Sequence, residues 1–364
     1  MKPVVAIDAS SAAVGGGLTY LREMLPRLRD DPQIELGPVL LRSQATADLV
    51  LDSRDNIHTV VMPGRLAALQ RRWSAVLADA GADAVFIPTE LSLRGYAIPT
   101  VFALRNVLMS PSNTASLTAD RRFRCSVQRN LARVTARRAS HWIAVSDVAR
   151  AVALDTFGVP SERVSVIYHG GPDRVSPPRP HRPVQRVVVV SNIYRHKNLE
   201  VVVAALASVT KPLELTVVGK PIDAAYQSEL LALVDGVPAR HRVRFVGPLY
   251  GDDLRRQYAE ADCFVWPSLA ESFGLPLLEA HAHGLPIVAS DTRSSHEIAG
   301  DAAHYFAPQQ PGALAAILER AATSGLATGD LPRRYSWDTT ADRTAGVLRQ
   351  AAWPSNGARP PAAG

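Results

Sequence analysis

Glu271 and Glu279 stand eight positions apart in Pro267-Ser-Leu-Ala-Glu-Ser-Phe-Gly-Leu-Pro-Leu-Leu-Glu-Ala-His-Ala-His-Gly284, on either side of a Phe-Gly-Leu-Pro turn. Such a turn opens a helix. Pro276 suits the first helical position, because its missing N–H would find no intrahelical partner there, and Gly284 suits the stop just past the end. The helix should run about two turns. Its first amides follow Gly274 and point outward with partial positive charge, so the backbone from Phe273 through Gly274 to Leu275 favours a phosphate or another electron-rich oxygen. Glu271 precedes this end, and Glu279, one turn inside, can accept hydrogen bonds from a diol.

Other chemistry-bearing residues follow strands. Ser191-Asn-Ile-Tyr-Arg-His-Lys-Asn198 comes directly after the apolar run Val187–Val190, which places Arg195 and Lys197 at a strand's carboxyl end. Gly15-Gly16-Gly17 follows the first strand and precedes a helix beginning near Leu18, so its backbone can approach a ligand with no Cβ in the way; an ordinary flexible turn is the alternative. Tyr20 stands where a dinucleotide fingerprint would need its last glycine. Arg105 and Asn106 end the strand Thr100–Leu104. Arg105 there can bind an acidic acceptor or a sugar, or serve as a structural ion-pair partner. No metal site is predicted: His281 and His283 face different ways on a helix, and His296-Glu297 lacks the second histidine of H-E-x-x-H. A retaining glycosidase would need two carboxylates about 5 Å apart across the scissile bond, without the company of a lysine and a glycine loop.

The elements that position these groups alternate strand with helix. Val4–Ile7, Val85–Pro88, Thr100–Leu104 and Trp142–Val145 read as one doubly wound half; Val187–Val190, Leu215–Val218, Val243–Val246, Cys263–Trp266 and Ile287–Ala289 read as a second. Between them Gly171–Pro183 carries five prolines. At 364 residues the chain is long enough for two domains. The expected division is a first domain over 1–175, a Pro-rich linker over 176–184, a second domain over 185–337, a helix over 338–352 and a disordered tail over 353–364. The two cysteines, Cys125 and Cys263, lie far apart in no metal or redox spacing, which argues for a reducing compartment and no disulfide. The N-terminus lacks a secretory pattern, and no apolar run reaches the roughly 20 residues that span a bilayer. These features predict a cytoplasmic protein.

The Glu271–Glu279 segment resembles the Glu-x7-Glu signature of family 4 retaining glycosyltransferases. The resemblance takes in Trp266-Pro267-Ser268, Phe273-Gly274-Leu275-Pro276, Leu278-Glu279-Ala280 and the strand Gly284–Asp291 that follows. It implies an α/β GT-B fold of two facing Rossmann-like domains with the ligand cleft between them, and transfer of a hexose-type sugar from a nucleotide-sugar donor to an acceptor hydroxyl without a metal or bound cofactor. Carried onto this chain, Lys197, assisted by Arg195, meets the donor diphosphate together with Gly15, Gly16, Gly17, Gly274 and Leu275. Glu271 is implied at the donor sugar with Phe273 and Gly274, Glu279 at the ribose, and Gly247, Pro248 and Leu249 at the base. Catalysis would fall to Glu271 and Lys197. Arg105 and Asn106 replace the His-Asp common in the family, so they are assigned to the acceptor side, Arg105 with a further catalytic option. His169 stands where the family has Asn-Gly near the hinge, which favours a structural role. The 338–352 helix is expected to return to the first domain. GDP-, UDP-, dTDP- and ADP-sugars all remain open as donor. The same framework also serves epimerases, phosphorylases and non-catalytic nucleotide-sugar-binding proteins.

Charge is unevenly placed. Residues 1–183 carry 23 Lys and Arg against 16 Asp and Glu, whereas the whole chain has 40 against 34. The densest run has no acidic residue between Asp120 and Asp147, and its spacing puts Arg122, Arg129, Arg133 and Arg137 near one helical face. An anionic membrane at its cytoplasmic face or a phosphate-bearing acceptor, such as a glycan precursor or lipid-linked sugar, would favour that face; a solvated helix is the alternative. Nucleic acid is not expected, because no aromatic platform is interleaved with the arginines.

Overall fold

In the computed structural model, residues 1–11, 16–51, 56–61, 66–89, 96–113, 119–173, 176–333 and 335–353 are described. They fall into two compact units. The first comprises Met1–Thr114, Ala119–Gly170 and Tyr335–Gly364, and the second is centred on Gly171–Arg334.

The first unit runs β1 (Val4–Asp8), α1 (Gly16–Arg29), β2 (Glu35–Leu41), α2 (Gln44–Val50), β3 (Thr59–Val61), α3 (Leu66–Asp79), β4 (Ala84–Ile87), β5 (Thr100–Leu104), α4 (Ala119–Arg138), β6 (His141–Ala144), α5 (Asp147–Phe157) and β7 (Val164–Val166). Among the described residues its strands form one parallel sheet in the order β3-β2-β1-β4-β5-β6-β7. Central strands such as β4 and β5 are buried throughout, as parallel strands covered on both faces require. The order reverses between β1 and β4, where Val5 pairs with Ala84 and Ile7 with Phe86.

The second unit runs β8 (Arg186–Val190), α6 (Leu199–Leu206), β9 (Glu214–Val218), α7 (Ala224–Asp235), β10 (Arg242–Gly247), α8 (Gly251–Glu260), β11 (Cys263–Trp266), α9 (Leu275–Ala282), β12 (Ile287–Ser290), α10 (Arg293–Ala299), β13 (Ala303–Phe306) and α11 (Pro311–Ser324). Its parallel sheet is ordered β10-β9-β8-β11-β12-β13 and reverses between β8 and β11. β10 lies at the edge and alternates exposed with half-buried residues, while β11 is buried at every position. Side chains cap the helices where the sequence supplies them. Ser146 accepts from Ala149 N at the start of α5, and Asp223 from Tyr226 N at the start of α7, both at 3.0 Å.

Two expectations change. The Pro-rich stretch is no free linker, because it is laid along the second unit: Ser176 N donates to Ala282 O at 3.1 Å, Arg179 N to Gly284 O at 2.9 Å and Val184 N to Ala321 O at 2.9 Å. Gly284 makes that close approach feasible, since it has φ 68° and a Cβ would sit 2.0 Å from Pro177 O. Trp353 is not tail either. It is buried with Ala84 and Ala352, just past α12 (Trp337–Ala352), which belongs to the first unit. α12 buries Trp337, Thr340, Ala341, Thr344, Ala345 and Leu348 on one face and packs on α1, and at its edge Arg27 Nε donates to Asp338 at 2.7 Å. Residues 354–364 lie outside those described.

Candidate functional site

The second sheet brings its chemistry to the switch point. Loops leaving β8 and β11, adjacent strands on either side of the reversal, are tied together: Leu269 N donates to His196 O at 2.8 Å, and Asn198 Nδ2 donates to Pro267 O at 3.1 Å. Asn198 is 1% exposed and left-handed at φ 54°, a conformation asparagine tolerates better than most residues. It turns the chain so that Lys197 meets Glu271. The Lys197 ammonium donates to the Glu271 carboxylate, both side chains are 15% exposed, and Nζ lies 5.2 Å from the centre of the Trp266 ring. Ion pair and indole face therefore hold one cation at the carboxyl ends of the central strands, where open α/β sheets bind ligands.

Directly beyond Glu271 the backbone turns at Gly274, with φ 120°, and α9 begins. A side chain here would be strained, and its Cβ would press to 3.0 Å from Leu277 Cδ1. Pro276 stands in the first turn, as its fixed φ favours. Leu275 has no intrahelical acceptor for its amide, so this helix start keeps partial positive charge. The Phe273 ring is only 3% exposed and lies in the core.

Glu279, one turn in, accepts a 2.7 Å hydrogen bond from the Tyr258 hydroxyl of α8. Burial raises the Glu279 carboxyl above its ordinary range, with the Tyr258 hydrogen bond acting the other way. Burial and the neighbouring carboxylate push the Tyr258 phenol up in turn. His283 stacks on the same ring, with centroids 5.3 Å apart, and burial lowers its pKa. Tyr258 was not singled out from the sequence, although it is the one aromatic in α8.

Arg195 is placed differently from expectation. Its guanidinium pairs with Glu229 on α7 and lies 5.2 Å from the Tyr226 ring centre, so Glu229 rather than the Lys197 position engages it. That carboxylate raises the Arg195 pKa. Gly247 ends β10 with φ 75° and its carbonyl accepts from Gly219 N at 2.9 Å; Pro248 is exposed and Leu249 half-buried. Among the described residues no group of three or more His, Cys, Asp or Glu gathers to hold an ion. Cys125 and Cys263 are both buried, and neither takes part in a disulfide.

In the first unit, Gly15 lies outside the described residues, and helix α1 begins at Gly16, earlier than the Leu18 start expected. Gly16 and Gly17 are thus the first helical residues. Arg105 Nη2 donates to the Gly16 carbonyl, and its guanidinium sits 4.6 Å from the Tyr20 ring centre. Asn106 turns inward on its own loop, where Oδ1 accepts from Leu108 N at 2.9 Å. His169 is buried between Tyr20 and Trp337, with ring centroids 5.1 and 5.6 Å away, and burial lowers its pKa well below the usual value. Its surroundings are those of a packing residue. Asp8, buried at the carboxyl end of β1, accepts from Ser10 Oγ at 2.6 Å and from the Tyr96 hydroxyl.

The two parallel α/β units have the strand orders of the GT-B class, and solved structures share that fold across nearly the whole chain. Anabaena HepE in complex with UDP and glucose superposes with TM-score 0.68 at 22% identity over 95% of both chains. WaaG, a glycosyltransferase involved in lipopolysaccharide biosynthesis, gives 0.63 at 16% identity over 98% of this chain and 100% of its own. The family model for Glycosyltransferase Family 4 matches residues 14–171, and that for Glycosyl transferases group 1 matches residues 184–324. The chain belongs to the family 4 glycosyltransferases. It is 35% identical over 112 residues to the O-antigen chain mannosyltransferase B of Escherichia coli, covering 28% of this chain and 29% of that one. To a glycosyltransferase of Methanocaldococcus jannaschii it is 26% identical over 236 residues, 57% and 59% of the two chains. To the D-inositol 3-phosphate glycosyltransferase of Mycobacterium marinum it is 30% identical over 190 residues, 47% and 39%. The chain thus spans less than two thirds of the length of these curated relatives. Among the described residues no helix is long and apolar enough to cross a membrane.

Proposed function

We propose that the chain is a retaining glycosyltransferase that moves a hexose-type sugar from a nucleotide-sugar donor to an acceptor hydroxyl. The observation that carries this reading is the Lys197–Glu271 pair at the switch point of the second sheet, with the α9 amides and Glu279 directly after it. The likeness to a structure holding UDP and glucose supports a nucleotide donor.

In this reading the donor diphosphate takes over Lys197, with the amides of Gly274 and Leu275 beside it. Glu271, released from the lysine, accepts hydrogen bonds from the sugar hydroxyls, and Glu279 holds the ribose diol, its carboxylate steadied by Tyr258. Gly247, Pro248 and Leu249 are proposed at the base. As the bond from the anomeric carbon to the diphosphate oxygen breaks, the leaving group keeps the electron pair and Lys197 stabilises the charge. The acceptor oxygen bonds to the same carbon from the face the diphosphate leaves, giving retention, and its proton passes to the departing phosphate. No residue of this chain is proposed as a covalent nucleophile.

The amides of Gly16 and Gly17, which open α1, are the first unit's proposed phosphate contact, and Arg105 and Asn106 its proposed acceptor side. An acceptor glycan or lipid-linked sugar completes the partners, and the arginines of α4 add an anionic membrane surface to them. Thermal melting against UDP-, GDP-, dTDP- and ADP-sugars should single out one donor, because a ligand that binds only the native state raises the melting temperature. Mixing that donor with acceptor extracts should then release nucleoside diphosphate. No shift with any donor, in protein that melts cooperatively, would overturn the reading; a shift with no release would leave a binding protein.

A further inference from the structure

Helix α4 combines two features that a merely solvated helix lacks. Phe123, Val127 and Val134 are 69%, 44% and 51% exposed, large apolar side chains turned to water. At 3.6 residues per turn they fall within an arc of about 40° and form a stripe about 16 Å long. Cys125 and Ala132, half a turn round, are buried against the unit. Arginines flank the stripe on both sides, Arg122 and Arg137 on one and Arg124 and Arg138 on the other, all exposed.

The arginine face read from spacing alone is therefore revised. Arg129 turns back to the unit, donating to Met109 O at 3.3 Å and Ser126 Oγ at 3.1 Å, and Arg133 Nε donates to Thr156 O at 2.9 Å. These two brace the helix. The outward face carries three apolar side chains, with the exposed Asn130 among them, and is cationic at its edges.

We propose that α4 docks the protein on an anionic lipid surface, with Phe123, Val127 and Val134 seated at the headgroup–acyl boundary and Arg122, Arg124, Arg137 and Arg138 on the headgroups. Charge complementarity selects this occupant. A narrow apolar stripe with a basic rim matches helices that lie in the plane of an interface, where apolar burial and anionic attraction add. A second copy fits worse, since a two-fold interface would set the same arginines against one another and the stripe is too small for a stable dimer of about 800 Å² per partner. The proposal rests on the membrane partner named above and is independent of the transfer reaction.

Flotation with phosphatidylcholine vesicles, with and without phosphatidylglycerol, tests it on the full chain. The parent should float with the phosphatidylglycerol vesicles at low salt and be released as ionic strength rises, because exposed charges are screened over about 10 Å at 0.1 M. Phe123→Ser with Val127→Ser should weaken binding roughly ten-fold at fixed salt, with an unchanged melting temperature since both sites face water. Phe123→Trp should show a blue-shifted emission on those vesicles only. Flotation of the serine variant equal to the parent would reduce the surface to solvated charge, and no flotation at low salt would remove it. Sedimentation as a dimer that the serine variant dissolves, without vesicle binding, would make the stripe a copy-to-copy contact instead. A protein that floats but releases no nucleoside diphosphate keeps the docking proposal while losing the transferase reading.

Discussion

Tyr258 donates a 2.7 Å hydrogen bond to Glu279, joining the one aromatic of α8 to the inner glutamate of α9. The contact holds in place a carboxylate that burial penalises. A carboxyl whose proton is held more tightly folded than unfolded adds stability below its unfolded titration range and loses it as pH rises through its folded one. Glu279→Gln should therefore melt higher than the parent near neutral pH, with the difference closing as pH falls into the carboxylate range. Donor affinity should fall at the same time by about 1 to 3 kcal/mol, the usual loss when charged hydrogen bonds go. Calorimetry with the donor and melting across pH read the two effects separately. Unchanged donor affinity would remove Glu279 from the ribose.

Lys197 and Glu271 neutralise each other in the ligand-free chain, so each single change leaves a partly buried charge alone. Lys197→Met should cost between about 1 and 3 kcal/mol of stability, between the limits for exposed and buried pairs. The double variant with Glu271→Gln should lose less than the sum of the two. Function should separate them: Lys197→Met lowers turnover with every donor, because the diphosphate charge grows in the transition state. Glu271→Gln should instead impair the full donor more than the free nucleoside diphosphate. Equal impairment of both ligands would take Glu271 away from the sugar.

Much of this site was legible because its signals are local. Pro276 and Gly284 marked the ends of α9, and the all-apolar runs of β8 and β11 fixed the strands whose carboxyl ends carry Lys197 and Glu271. Pairings across the sheet were not legible. Glu229 lies 34 residues from Arg195, and Tyr258 21 from Glu279, separations set by strand order and not by any helical period. β2 escaped notice because Gly37 and Pro38 interrupt it, and β3 and β13 because they are short and only partly buried. The α4 arginines had the right period, but Arg129 is drawn back by the Met109 carbonyl and the still exposed Arg133 is pinned by that of Thr156, acceptors supplied from elsewhere in the fold.

Arg195 offers a direct check on that lesson. Its pair with Glu229 is largely exposed on the glutamate side, so Arg195→Ala should cost about 1 kcal/mol or less. Donor affinity should stay within about two-fold, since Glu229 already engages its guanidinium. A ten-fold or greater loss in donor binding by calorimetry would return Arg195 to the diphosphate and show that Glu229 releases it when ligand arrives.

Contacts of Arg105 lead to α1, at the Gly16 carbonyl and at the face of Tyr20. Removing it leaves that carbonyl without the guanidinium and the ring without its cation, a contact worth about 0.5 to 2 kcal/mol by exposure. Arg105→Lys keeps the charge but cannot keep the planar fork, so it should behave closer to Arg105→Ala than to the parent. Donor melting shifts, carried mainly by Lys197, Glu271 and Glu279 in the second unit, should largely survive in both variants, while turnover falls and the KM for acceptor rises. Hydrogen exchange should quicken at the start of α1 in step with that loss. If exchange at α1 is unchanged while acceptor KM rises, Arg105 touches the acceptor itself; if neither turnover nor acceptor KM moves, Arg105 has no part on the acceptor side and only packs against Tyr20.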